Sequence, residues 1–148
     1  MSHKTTNIRV YAIILNDKNQ VLLSDEFRFG RQFTKFPGGG LKWGEGTKDC
    51  LCRELKEELD LDAEIGELFY VNDFAQLSAF RENDQLFSFY YFVDLIDIDT
   101  IKTTQHELPL TEDVERFRWV DLSDLSSDSV TFPVDKIVAE KLSFLLLK

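Results

Sequence analysis

The stretch PGGGLKWGEGTKDCLCRELKEELDL, from Pro37 to Leu61, decides how the rest of the chain is read. Five of the seven glycines, Gly38, Gly39, Gly40, Gly44 and Gly46, fall within its first ten residues. Consecutive glycines let backbone approach a ligand or another strand where a Cβ would block it, so Gly38 to Gly40 read as a turn suited to phosphates or ions. The spacing after it predicts a helix over Thr47 to Leu59. At about 100° per residue, Leu51, Leu55, Leu59 and Cys52 share one apolar arc. Glu54, Glu57 and Glu58 line the edge of that arc at i, i+3 and i+4 spacing, which brings side chains together.

Three carboxylates in one patch repel one another, and they sit near a helix C-terminus, where the macrodipole opposes negative charge. A divalent cation relieves both penalties, and carboxylate oxygens with a backbone carbonyl make a hard oxygen site of the Mg²⁺ or Mn²⁺ type. A solvated acidic face explains the same residues in an ordinary helix. The adjoining glycines favour the metal.

The pattern Gly39, five residues, Glu45, seven residues, then Arg53-Glu54-Leu55-Lys56-Glu57-Glu58 and Leu61 resembles the Nudix box. Asp60 stands where that family carries glycine. Aspartate tolerates the left-handed conformation better than most residues, so the turn is expected to survive. Lys42 occupies a position, outside the strict box, that is acidic in many members. The resemblance implies an α/β fold, a Nudix-type α/β/α sandwich whose mixed β-sheet lies between the box helix and a C-terminal helix. It also implies a metal-dependent pyrophosphohydrolase of the MutT-like kind.

The composition is that of an ordinary globular protein, and its negative balance means that an anionic small substrate would have to be met by metal and local cations. The chain of 148 residues, 43% hydrophobic and 30% charged, is long enough to bury a core without disulfides and reads as a single domain over residues 1–148. A net charge of −10 argues against nonspecific binding to a nucleic acid polymer or an anionic membrane, both of which need a basic face. The first ten residues, MSHKTTNIRV, lack the apolar core of a signal peptide, and a cytoplasmic protein is expected. Cys50 and Cys52, two apart on the helix, are expected to stay reduced, with Cys52 in the core.

Outward from the box, Asn7–Leu15 and Gln20–Asp25 are β-rich segments around the turn Asn16-Asp17-Lys18-Asn19 and are expected to form a hairpin. In EFRFGRQFTK, Glu26 to Lys35, the cations Arg28, Arg31 and Lys35 alternate with Phe27, Phe29 and Phe33. Such a mixture suits phosphates and a stacked base, although for any one of these residues a half-buried strand with polar residues on its outer face is the favoured account. Ala63–Ala75 is loosely β, and Leu86–Ile96 reads as a strand buried on both faces. Asp97–Glu112 reads as irregular connection, Val114–Asp121 as a short strand, and Asp135–Leu147 as a covering helix introduced by Pro133.

From the resemblance, Glu54, Glu57 and Glu58 are the catalytic and metal-holding carboxylates, with the Gly38 or Gly39 carbonyl as a further metal ligand. Gly39, Glu45 and Arg53 support the box, Glu45 and Arg53 as a pair tying loop to helix. The general base is one of the cluster, or Glu112, Asp113 or Glu115 from the segment before Trp119. Arg28, Arg31, Lys35 and Trp43 are substrate candidates, Trp43 either stacking on a base or pinning its loop. His3, near the terminus, and His106, with no evident partner, are not cast as catalysts. The expected reaction cleaves the pyrophosphate bond of a nucleoside diphosphate linked to another moiety, as in a nucleoside triphosphate, nucleotide sugar, ADP-ribose or dinucleoside polyphosphate. The alternatives are a nucleotide- or metabolite-binding regulator without turnover, and an interaction domain whose acidic helix meets a basic partner. A paired sheet edge leaves room for a homodimer.

Overall fold

A computed structural model describes residues 3–104 and 114–146. Its elements in chain order are β1 (Thr5–Ile14), β2 (Gln20–Arg28), β3 (Arg31–Lys35), β4 (Gly38–Gly40), α1 (Thr47–Leu59), β5 (Ala63–Val71), β6 (Gln76–Leu77), β7 (Asp84–Leu95), β8 (Val114–Asp121) and α2 (Pro133–Leu146). Single 3₁₀ turns lie at Ile98–Thr100 and Ser127–Ser129.

Strands run β4-β1-β7-β5 in a mixed sheet, with β6 also paired to β7, and β3-β2-β8 in an antiparallel one. The pairing of β1 with β7 is parallel and holds register from Thr5↔Asp84 to Ile14↔Val93. Alternation along the strands sends side chains to two cores. Tyr11, Ile13, Val21, Leu23 and Tyr90 pack with Val134, Val138, Ala139 and Leu142 of α2. Val10, Ala12, Ile14, Leu22, Tyr91 and Val93 pack with Cys50, Leu51 and Leu55 of α1. Helices therefore cover opposite faces of the strands, the expected sandwich. As the centre of the mixed sheet, β7 buries Tyr90 on one face and Tyr91 on the other.

Three local expectations fail, each for a physical reason. The segments around Asn16–Asn19 share a turn, in which Asn16 Oδ1 accepts from the N–H of Lys18 and Gln20 at 3.0 Å, yet they form no hairpin. Only Leu15 and Val21 bridge, because β1 is already paired on both edges, by β4 and β7, and the chain crosses to the other sheet. The consecutive glycines form a strand, β4, rather than a turn. Gly38 has φ 144°, and a Cβ there would lie 2.8 Å from the Tyr11 Cα, so glycine is required for β4 to approach β1. Finally, Cys50 is fully buried while Cys52 is half-buried. The glycine strand draws α1 round toward itself, with Cys50 Sγ 3.5 Å from Gly40 O and Cys52 Sγ directed to Ala63 O on the β5 side. Both thiols are free, and burial pushes that of Cys50 up to about 11.

The helix α1 has the bounds the sequence predicts. Gly46 N–H donates to Asp49 Oδ2 at 3.2 Å, closing its first turn. At its end Asp60 adopts φ 56°, ψ 36°, and its N–H returns to Lys56 O, the left-handed cap expected of it.

Candidate active site

A cleft of about 1000 Å³ opens where the two sheets diverge, lined by the β2–β3 hairpin, β4, α1, the residues around β6 and the start of α2. Beside its Gly40 and Glu54 lining lies a knot. Arg53 holds Glu45 in a fork, Nε to Oε2 at 2.5 Å and Nη2 to Oε1 at 2.9 Å, while Nη2 also donates to Gly40 O at 3.0 Å. The same Arg53 reaches Glu54 Oε1 at 3.0 Å and Glu57 Oε2 at 3.2 Å. Glu45 in turn accepts from Lys42 N–H at 2.8 Å. Hydrogen bonds from Arg53 and then from Lys42 hold Glu45 down at about 2, a fixed anion that closes the loop onto the helix. A Cβ on Gly39 would come within 2.5 Å of the Glu54 carboxyl carbon, so Gly39 leaves the space that Glu54 occupies.

Beside the knot lies a second group with opposite character. Glu26 on β2 and Glu115 on β8 stand directly across the strands from each other, where like charges destabilise. Ser24 Oγ donates to Glu115 Oε2 at 2.7 Å. Lys35 is buried against them, with Nζ 3.0 Å from Glu26 Oε2 and donating to Phe36 O and Gly38 O at 3.3 and 3.4 Å. Arg28 Nε donates to Glu26 Oε1 at 2.8 Å. Burial works against ionisation of Glu26, but Lys35 and Arg28 outweigh it and hold its carboxyl below the usual range. Glu115 goes the other way, raised by burial and by the facing Glu26 against the pull of Lys35. Glu58, from α1, is pushed up to about 8 by burial, with Glu115, Glu54 and Glu26 adding to it and Lys35 opposing. Its Oε2 is buried with no hydrogen-bond partner among the described residues, a state that asks for a cation or a proton.

Glu54, Glu58, Gly38, Gly39, Arg28, Arg31 and Lys35 thus share the cleft. Glu57 is exposed and turned to Arg53, and Trp43 is fully exposed and lies off the cleft lining. Of the three base candidates outside the box, Glu115 joins the cluster; Glu112 and Asp113, like His106, lie outside the described residues. No three acidic, histidine or cysteine side chains among the described residues converge into a ready-made metal cage. The donors nonetheless fit a hard cation: the orphaned Glu58 oxygen, Glu54 and the Gly38 carbonyl are all oxygen ligands facing one space.

Several cleft residues escaped the sequence reading because contacts distant in sequence assemble them. Phe33, Phe80 and Phe132 form an aromatic wall with ring centroids 5.2 to 5.7 Å apart. The Arg31 guanidinium sits over the Phe80 ring at 5.1 Å. Arg9 donates to Tyr11 Oη at 3.0 Å and adds a cation to the cleft. Asp135, in the first turn of α2, is fully buried and accepts from Tyr90 Oη; burial pushes it up to about 6. Only the alternation of Phe and Arg before Pro37 carried a trace of this wall.

Comparison with known proteins bears on this arrangement. A family model described as the NUDIX domain matches residues 5–141. An RNA pyrophosphohydrolase of Ruthia magnifica subsp. Calyptogena magnifica is 44% identical over 52 residues, 35% of this chain and 28% of that one. The mRNA-decapping protein OPG122 of Variola virus is 30% identical over 124 residues, 73% of this chain and 48% of that one. The chain thus spans less than half the length of these curated relatives. Among solved structures, a MutT protein from Methanosarcina mazei Go1 superposes with a TM-score of 0.72 at 20% identity, covering 100% of both chains. An ADP-ribose pyrophosphatase from Streptococcus suis superposes with a TM-score of 0.57 at 21% identity, covering 95% of this chain and 90% of that one. At such identity the superpositions show the shared fold.

Proposed function

Since the chain belongs to the Nudix family, we propose that it is a divalent-metal-dependent hydrolase of a pyrophosphate bond in a nucleotide-type substrate. The observation that carries this reading is the buried oxygen of Glu58, unpartnered among the described residues, beside Glu54 and Glu26 in the lining of an open cleft. Glu54, Glu58 and the Gly38 carbonyl would hold the ion, joined by Glu57 if it leaves Arg53. When bound, Mg²⁺ or Mn²⁺ supplies positive charge to the diphosphate and to the oxygen that departs.

The chain's own groups account for the rest. Arg28 and Arg31 at the mouth of the cleft are placed to meet phosphate oxygens, Arg31 fixed by its bond to Ala79 O at 3.2 Å. Phe33, Phe80 and Phe132 offer faces on which a base stacks, a contact that tolerates many bases. Glu115, raised above its ordinary value by burial and by the facing Glu26 and outside the set that would hold the ion, is the group able to take a proton from an attacking water. The Glu45–Arg53 fork keeps α1 and the glycine strand in register, so that positioning, the main demand of phosphoryl chemistry, is built into the apo protein.

The relatives differ in what their names say they act on. A turnover screen with Mg²⁺ and Mn²⁺ over nucleoside triphosphates, nucleotide sugars, ADP-ribose, dinucleoside polyphosphates and 5′-triphosphorylated RNA tests the reading. Turnover of at least one substrate class, abolished by chelator, is expected. Undiminished hydrolysis in excess chelator would overturn the metal dependence, and tight nucleotide binding with no turnover would instead favour the regulatory alternative.

A further inference from the structure

A lysine at the floor of a site read as cation-binding is unexpected. Lys35 is one of the few buried charged side chains in the protein, 6% exposed. Its ammonium uses the Gly38 carbonyl at 3.4 Å, the Phe36 carbonyl at 3.3 Å and Glu26 Oε2 at 3.0 Å. The Tyr11 ring lies 5.7 Å from Nζ and closes another side. The carboxylates that act on Lys35 are Glu58, Glu26 and Glu115. One of these, Glu58, carries the orphaned oxygen. The group standing closest to the role of a metal in this cleft is therefore an amine on β3.

We propose that Lys35 is a built-in counter-cation of the box carboxylates, which holds the Gly38 carbonyl and the charge of the Glu26–Glu58–Glu115 cluster in place of a divalent ion and so sets how tightly this chain takes one. The inference rests on the metal-dependent reading above and deepens it. Two charges cannot share that floor without repulsion, because a lysine buried among carbonyls and carboxylates is screened little by solvent. Binding of a divalent ion to Glu54, Glu58 and Gly38 O must then displace the ammonium or be weakened by it. An apo protein that carries its own cation also folds without waiting for metal.

The test is Mn²⁺ binding without substrate, followed by calorimetry and by the loss of the free-ion electron paramagnetic resonance signal, for the wild type, Lys35→Met and Lys35→Arg. Methionine keeps the length and removes the charge; arginine keeps the charge. The expected result is a dissociation constant at least tenfold lower in Lys35→Met, with Lys35→Arg within threefold of the wild type. In chelator Lys35→Met is expected to melt lower than the wild type, and saturating Mn²⁺ to raise its melting temperature by more. Equal Mn²⁺ constants in the wild type and Lys35→Met would overturn the role given to Lys35 while leaving the metal site standing. Absence of saturable Mn²⁺ binding in all three would overturn the metal-dependent reading as well. Should Lys35→Met fail to fold in chelator, its recovery of native circular dichroism with added Mn²⁺ reads the same exchange, and failure of Mn²⁺ to restore it would count against the proposal.

Discussion

The knot around Arg53 and the cluster around Lys35 both set a cation among several carboxylates, yet they treat charge in opposite ways. In the knot a planar guanidinium meets Glu45 in a two-point fork and has donors left for Gly40, Glu54 and Glu57. In the cluster a single ammonium faces Glu26, Glu58 and Glu115, and one carboxylate oxygen is left unpaired. Arginine can satisfy several carboxylates at fixed angles, whereas lysine is a compact point charge. A saturated network holds geometry; an unsaturated one retains capacity to bind. The difference separates support from chemistry along one helix, since Arg53 of the knot and Glu58 of the cluster both stand on α1.

The largest expected effect lies in the cluster. Glu58→Gln should lower kcat by about 10²-fold or more, as removal of a strong electrostatic contributor does, while urea unfolding in chelator shows stability kept or raised because a buried repulsion has gone. Unchanged kcat would erase the distinction between the two groups.

Asp135 extends the comparison to the α2 side, where a buried carboxyl has Tyr90 Oη as its hydrogen-bond donor. Burial pushes its carboxyl up to about 6 in the fold, from an ordinary value of 3.8. Protonation therefore favours the native state, and this contribution is complete below pH 3.8 and lost as pH rises through 6. Urea unfolding of the wild type is expected to show about 2–3 kcal/mol of this loss between pH 4 and 6.5, absent from the pH profile of Asp135→Asn. A slope identical in the two proteins would show that Asp135 ionises freely in the fold.

The knot is tested by crowding it. In Gly39→Ala the new methyl collides with the Glu54 carboxyl, and overpacking of this kind destabilises by about 1–3 kcal/mol. Turnover should fall as Glu54 moves, so stability and kcat drop together, unlike Glu58→Gln. The smallest effect is expected at Asp60, exposed and left-handed. Glycine relieves the strain and removes a charge opposing the helix dipole, worth about 0.3–1 kcal/mol of added stability in chelator, with kcat unchanged. A tenfold loss of kcat would instead place Asp60 among the groups acting on the ion.

Legibility in the sequence follows the same divide. The box helix, the strand at Val114–Asp121 and the covering helix were readable because each rests on local periodicity and caps. The fork of Glu45 and Arg53 was readable because one loop and one helix contain it. What escaped depends on pairings between distant segments. Nothing local says that Glu26 will face Glu115, or that Phe33 will meet Phe80 and Phe132. The lost hairpin has the same origin, since the turn at Asn16–Asn19 is sound and only competition from β4 and β7 for the edges of β1 excludes the pairing. From sequence Lys35 reads as a substrate candidate or as a polar residue of a half-buried strand, and its burial depends on the packing of Gly38 and Glu26 around it.

The pairing of β1 with β7 carries a consequence for the order in which the protein comes into being. Thr5 meets Asp84, 79 residues away, and Gln20 meets Asp121, 101 residues away, so both sheets depend on contacts of long loop closure, which fold slowly. On a ribosome adding about 5–20 residues per second, the β2–β3 hairpin emerges seconds before its partner strand β8. Glu26 and Lys35 therefore meet each other first, across one tight turn, as an ordinary ion pair. Glu115 arrives last, and the excess of negative charge in the cleft is imposed only when the sheet closes.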